Sequence, residues 1–331
     1  MNSKEYALVF RACKDVVLEP VIPPVLGDGV VALTTEFSAI SQGTERMWLD
    51  GTATALQSGR KTYPYFPGYS VVGRVVNDVP SRGFAAGDRV FATQPHRSFL
   101  ALDADKGHSF YKVIAETPAE DLALVTLLGT ALHCVQRARV GLGDSVVVVG
   151  SGLLAILVVK LLQATLPIPV TAVVRRAKAH GPMFDAMGVS WTTDAASVSG
   201  SVFIDATGTS DGMAAALQGA APGGRVVGAG FYTEPFAVDG EAFFTKEVEI
   251  ISVKAGGPPS RTSATGPATR NENLDMALAL VQSGRITSAG IPTAILPVAD
   301  HKSAYDDLLA RQLPQLVLLD WRELHTGGAD E

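Results

Sequence analysis

Cysteine is nearly absent: Cys13 and Cys134 are the only two in 331 residues. Two thiols cannot build a disulfide framework or a cysteine-rich zinc cluster, and such sparse usage fits a reducing cytoplasm. Charge is sparse as well, at 18% of residues, and its balance is slightly acidic at −6. No run of Lys or Arg suggests a groove for nucleic acid, and none is expected. Residues 1–10 hold no apolar segment of the signal-peptide type. The longest apolar stretch, Val146 to Leu162, is broken by Gly150, Ser151, Gly152 and Lys160, so no membrane span is expected. What is abundant is apolar: 47% of the chain, enough to fill two sizeable cores.

The texture of the chain changes near residue 118. Before it, short β-rich runs such as Val30–Thr35 and Val71–Val76 are bounded by Pro and Gly, and Gly87-Asp88 turns into another strand. After it, helical and strand patterns alternate. Leu122–Val140 reads as helix, Val146–Val149 as strand and Leu153–Ala164 as helix. Val170–Val174 reads as strand, Ser201–Gly208 as strand into turn, Gly212–Ala220 as helix and Gly224–Gly230 as strand. Strands alternating with helices imply a parallel, doubly wound sheet. Gly256–Thr269, rich in Gly, Pro, Ser and Thr, reads as a long loop.

The segment Val146–Val149, Gly150-Ser151-Gly152-Leu153-Leu154-Ala155 is a buried strand, a glycine turn and an apolar helix. A dinucleotide fingerprint needs that context. Gly150 permits the tight turn, Gly152 lets the backbone approach a pyrophosphate, and Ala155 permits close helix–strand packing. An acidic residue at the end of the second strand would hold the ribose hydroxyls of NAD. Here Arg175 and Arg176 stand there, with Lys178 nearby. Guanidinium grips a 2′-phosphate bidentately where a carboxylate would repel it, so NADPH/NADP+ is the expected cofactor. The competing reading is a pair of solvated charges at a strand end.

Several segments together resemble the medium-chain dehydrogenase/reductase superfamily over nearly the whole length. They are Phe66–Val75, Gly87–Val90, the Gly150 fingerprint, Asp205–Gly208 and Pro222–Val227. Within it, Ile40–Trp48 and Gly230-Phe231-Tyr232 resemble the bacteriochlorophyllide a dehydrogenase branch. The resemblance implies an α/β fold: a GroES-like β-barrel catalytic domain over 1–117, completed by 295–331, and a Rossmann domain with a doubly wound parallel sheet over 118–294. It also implies cofactor contacts from Thr130, Gly150, Ser151, Gly152, Leu153, Leu154, Thr207, Gly208, Gly230 and Phe231, beside Arg175, Arg176 and Lys178.

The departures from the family pattern bear on chemistry. Ser41 stands where zinc alcohol dehydrogenases place their first Cys ligand, Tyr69-Ser70 where a His-Glu pair falls, and Thr130 near the later Cys. Phe91–His108 lacks the cysteines of the structural zinc lobe. Hydroxyls are poor zinc ligands, so no metal is expected. Hydride transfer at a carbonyl then needs a proton donor and hydrogen bonds to the developing alkoxide. Tyr69 is the leading candidate, with Ser41, Thr44, Glu45 and His133 as further catalytic candidates. Tyr69 also reads as a lining aromatic, Glu45 as an ion-pair partner and His133 as a structural histidine. Cys134 reads as buried packing. Trp48, Tyr63, Tyr65 and Phe66 suit a bulky or planar substrate, or a core. His96 and Arg97 suit an anionic substrate, or a surface loop.

The leading expectation is a cytoplasmic, zinc-independent, NADPH-dependent oxidoreductase acting on a carbonyl/alcohol pair, with a bulky substrate, in secondary or pigment metabolism. An enoyl or quinone reductase is the alternative within the family, and a catalytically silent NADPH-binding protein the alternative outside it. The apolar strand Val248–Val253 predicts a sheet edge that pairs across a two-fold axis, giving a homodimer or a dimer of dimers.

Overall fold

The computed structural model describes residues 4–261 and 266–326. The chain divides into two compact units, one from 1–123 with 292–331 and the other from 124–291. The sequence-based boundaries, 117/118 and 294/295, fall a few residues from these. The short helix Ala119–Ala123 accounts for the first difference: it packs on strands of the first unit, and Ser70 Oγ donates to the Ala123 carbonyl at 3.2 Å.

In the first unit the strand Val31–Ala39 is the hub. It pairs antiparallel with Val71–Val75, Phe99–Leu102 and Leu316–Asp320. The sheet continues through Arg89–Ala92 to Phe110–Lys112 on one side and to Thr293–Pro297 on the other. Strands from near both ends of the chain therefore share one sheet. A hairpin, Glu5–Ala12 with Asp15–Val21, forms a second small sheet. Alternation along these strands sends Val31, Leu33, Val71, Val75, Val90 and Leu102 into one core. A second core gathers Phe10, Tyr305 and Trp321 with Leu8, Leu49 and Leu319.

The second unit is a six-stranded, wholly parallel sheet. Its order is Ser190–Thr192, Val170–Val173, Val146–Val149, Gly200–Asp205, Ala220–Gly228, Glu249–Ser252. All four valines of Val146–Val149 are buried, as a central parallel strand requires. The chain reverses direction of winding between Val146–Val149 and Gly200–Asp205, and open α/β sheets bind ligands at such a switch point. The expected helix Leu122–Val140 is two pieces, Ala119–Ala123 and Val125–Ala138. The expected loop Gly256–Thr269 contains no helix or strand over its described residues, and 262–265 lie outside them. No described helix is long and apolar enough to cross a membrane.

Candidate active site and coenzyme site

In the first unit, Ser41 precedes the helix Gln42–Leu49. Its Oγ is hydrogen-bonded to the Tyr69 hydroxyl, with either oxygen able to donate. Two of the sequence-based candidates are thus one unit. Thr44 sits one helical turn after Ser41, on the same face.

Beneath this pair lies a buried polar network that the sequence did not reveal as such. Glu45 is 1% exposed. Its Oε1 accepts the Ser41 backbone N–H at 2.7 Å, and its Oε2 accepts the Tyr305 hydroxyl at 2.6 Å. The His96 Nε2 faces both carboxylate oxygens, at 3.2 and 3.3 Å. His96 Nδ1 is 2.7 Å from Ser38 Oγ, which accepts the Trp321 indole N–H at 2.8 Å. His96 thus bridges Ser38 and Glu45 through its two ring nitrogens, with the donor at each end set by the tautomer. Bonded to Ser41, Tyr305 and His96, this carboxylate holds the Ser41 backbone in place. The same network buries His96 completely, so of the adjacent pair His96 and Arg97 only Arg97 reaches partial exposure. Gly68 makes this packing possible. Its φ is +93°, and a Cβ there would lie 2.6 Å from the His96 ring.

The aromatic candidates divide. Trp48 and Tyr65 stack face to face at 3.9 Å, and the Tyr63 hydroxyl donates to the Trp48 carbonyl at 2.5 Å. Burial, with Glu45 and Tyr69 nearby, pushes the Tyr65 hydroxyl up to about 12. Phe66 is exposed, and the Arg97 guanidinium lies over it at 4.7 Å. Burial lowers the pKa of Arg97, and its buried Nε finds no partner among the described residues.

The second unit carries the fingerprint. Gly150 follows the strand at φ +124°, a conformation only glycine adopts freely. Gly152 precedes the helix Leu153–Thr165 without a side-chain cap, and the space where its Cβ would stand is open to 4 Å. Uncapped N–H groups over open space fit an anionic pyrophosphate. Ala155 is buried, as close packing requires. At the neighbouring strand ends, Asp205 Oδ1 accepts from the Thr207 backbone N–H at 2.9 Å and from its hydroxyl at 2.6 Å. The Tyr232 hydroxyl donates to Asp205 Oδ2 at 2.5 Å. Burial raises the pKa of Asp205 from its ordinary value. Gly208 and Gly230 bring two backbones together: a Cβ on Gly230 would meet the Gly208 nitrogen at 2.0 Å. Thr207, Gly208, Gly230 and Phe231 are therefore adjacent, and Phe231 is exposed.

Arg175 and Arg176 are exposed where the second strand runs into the helix Ala177–Ala186, with Lys178 exposed on that helix. Among the described residues neither arginine pairs with a carboxylate. A histidine missed in the sequence, His180, is half-buried one turn later, its Nδ1 2.8 Å from Ser151 Oγ. Its four-residue spacing from Arg176 was the available signal. Thr130 Oγ1 accepts the Gly256 N–H at 3.1 Å. His133 is buried, its Nδ1 without a partner among the described residues, and burial with Arg137 lowers its pKa. Burial pushes the Cys134 thiol up to about 12, which suits packing and not nucleophilic attack.

A zinc ion does not fit the residues present. Among the described residues no three His, Cys, Asp or Glu side chains gather to hold a metal. The donors at the Ser41–Tyr69 pair are hydroxyls, and Glu45 and His96 satisfy each other.

No protein-family model matches the chain. It is 29% identical over 317 residues to a 2-desacetyl-2-hydroxyethyl bacteriochlorophyllide A dehydrogenase of Cereibacter sphaeroides, covering 90% of this chain and 92% of that protein. In structure it is similar to 2R,3R-butanediol dehydrogenase from Bacillus subtilis, with TM-score 0.78 and 16% identity over 96% of this chain and 99% of that one. A Sinorhizobium meliloti 1021 protein solved with NADP gives TM-score 0.77 and 17% identity over 96% and 100%. The structural likenesses establish the fold, an α/β architecture with a GroES-like and a Rossmann part.

Proposed function

We propose that this chain, which resembles the medium-chain dehydrogenase/reductase superfamily along nearly its whole length and carries its fold, is a zinc-independent, NADPH-linked oxidoreductase of a carbonyl/alcohol pair. The observation that carries the reading is the Ser41–Tyr69 hydroxyl pair seated on Glu45. It supplies a proton donor and a hydrogen-bond relay at the positions where the resemblance implies metal ligands.

The coenzyme, when bound, supplies or accepts the hydride. The residues do the rest. Tyr69 donates its phenolic proton to the substrate oxygen as negative charge develops there, and Ser41 Oγ–H then stabilises the phenolate. Glu45, fixed by His96 and Tyr305, keeps Ser41 in register through the backbone N–H. In the oxidative direction the same pair takes the proton back. In the second unit the Gly150–Gly152 turn binds the pyrophosphate, while Arg175 and Arg176 favour a 2′-phosphate.

A bulky, planar substrate is supported by the likeness to a protein named for a bacteriochlorophyllide, whereas Trp48, Tyr63 and Tyr65 pack against the core of the first unit. A role in pigment or secondary metabolism is part of the same proposal. The direct test is turnover of NADPH with a panel of ketones and enones, after exhaustive chelation and metal analysis. Ketone reduction by metal-free protein is expected. Activity lost to EDTA and restored by zinc would overturn the metal-free reading, and exclusive reduction of the enone double bond would move the enzyme to the C=C reductases.

A further inference from the structure

We infer that His180 is a further cationic ligand of the coenzyme's 2′-phosphate and takes up a proton when that phosphate binds. The inference rests on the NADPH reading above and concerns the same site. A dinucleotide turn needs only its glycines, and a phosphate-gripping strand end needs only its arginines. Here a hydrogen bond ties the two together: His180 Nδ1 to Ser151 Oγ, 2.8 Å, from the helix Ala177–Ala186 to the glycine turn. With Nδ1 engaged, Nε2 is the ring nitrogen left over, and no hydrogen bond holds it among the described residues. The His180 backbone N–H donates to the Arg176 carbonyl at 3.0 Å, so the two side chains leave neighbouring positions one turn apart.

The charges around the ring are one-sided. Arg175 and Arg176 both act on it, and Lys178 lies two residues before it. The strand Ser190–Thr192, packed on that helix, brings Trp191, whose indole N–H is held by Asp185 at 2.8 Å. Among the described residues no carboxylate pairs with Arg175, Arg176 or His180. Burial, then the two arginines, lower the pKa of His180 below its ordinary value. The free ring is therefore neutral at pH 7. A dianionic phosphate set among the same groups offsets the arginines and, hydrogen-bonded to the ring, favours the imidazolium. Up to one proton passes from solvent to the ring per NADPH bound, fewer as the pH rises, and in the protonated form both ring nitrogens carry hydrogen. Nε2–H donates to a phosphate oxygen and Nδ1–H to Ser151 Oγ. NADH, lacking the phosphate, drives no such uptake.

Calorimetric titration of the full chain with NADPH and NADH tests this between pH 7 and 8.5, where the phosphate stays dianionic. Two buffers of different ionisation enthalpy report the protons exchanged. NADPH should bind with net proton uptake, and its affinity should fall about threefold to tenfold across the interval, while that of NADH stays flat. His180→Gln, which keeps a polar group for Ser151, should abolish the uptake and flatten the NADPH slope. An unchanged NADPH slope in this variant would overturn the inference, as would wild-type binding without uptake. So would equal weakening of NADPH and NADH in the variant, which marks a structural role. Failure of the NADPH reading looks different: the wild type would bind NADH at least as tightly at every pH, and the inference would fall with it.

Discussion

Tyr69 and Ser41 are twenty-eight residues apart in sequence and share one hydrogen bond. If that pair replaces a Lewis acid, loss of the phenolic hydroxyl removes the main donor to the substrate oxygen. Tyr69→Phe should lower kcat by two to three decades, about 2.7–4 kcal/mol, and leave NADPH affinity nearly unchanged. A fall of less than about threefold would make Tyr69 a wall residue. Arg175→Asp should move coenzyme preference toward NADH, because a carboxylate repels a phosphate and accepts ribose hydroxyls; the ratio of NADPH to NADH dissociation constants reads it. At this scale the sequence was only partly legible. Glu45 could be placed near Ser41, but its burial depends on Tyr305, 260 residues away, and on His96, 51 residues away. No local pattern encodes partners so distant. His180 was missed because its four-residue spacing from Arg176 points to no role until Ser151 is seen against it.

Among the elements, Glu249–Ser252 bears most on assembly. Among the described residues it is the outer strand of the parallel sheet, paired on one side only, to Ala220–Gly228. Its free side presents unpaired backbone groups, which proteins cover or pair. We propose that a second copy pairs with it to form a homodimer, or a dimer of dimers. Ser252→Pro, which removes a backbone donor at the edge, should shift the protein toward monomer in light scattering. A wild-type chain that is monomeric at micromolar concentration would refute the pairing. The elements around it were legible in the sequence, since the run of valines, the glycine turn and the apolar helix each carry a local signal. The break between Ala119–Ala123 and Val125–Ala138 was not. Apolar periodicity runs through it, and only packing shows that the two pieces attach to different units.

For the whole molecule, pH dependence follows from buried imidazoles. Burial lowers the pKa values of His133, His180 and His301 below the ordinary value. Such a group binds protons more readily when unfolded, so its contribution is complete well above the unfolded pKa of about 6.5 and is lost as pH falls through that value. The loss levels off below the folded pKa. Denaturation midpoints should therefore drop between pH 7.5 and 5.5, and His133→Gln should flatten the drop. Asp205, its pKa raised by burial, works with the opposite sign from the acid end of the scale. Carboxylates held low by partners enter only at more acid pH: Asp144, where burial is outweighed by the Gly141 N–H, Ser201 and Arg225, and Asp320 beside Arg322. A midpoint that rises or stays level between pH 7.5 and 5.5 would refute the histidine account.

The sequence by itself determined the parallel sheet, the glycine turn and the basic strand end, along with the hydroxyls at positions 41 and 69. Each rests on residues close together in the chain, where period and spacing act directly on backbone and charge. Only the tertiary structure decided what those groups are bonded to. The pairing of Ser41 with Tyr69, the seat of Glu45 on His96 and Tyr305, and the link from Ser151 to His180 all join segments far apart in sequence. Most buried polar atoms find a partner wherever the fold brings one. That choice is made by packing, after the local patterns have already been spent on forming the strands and helices.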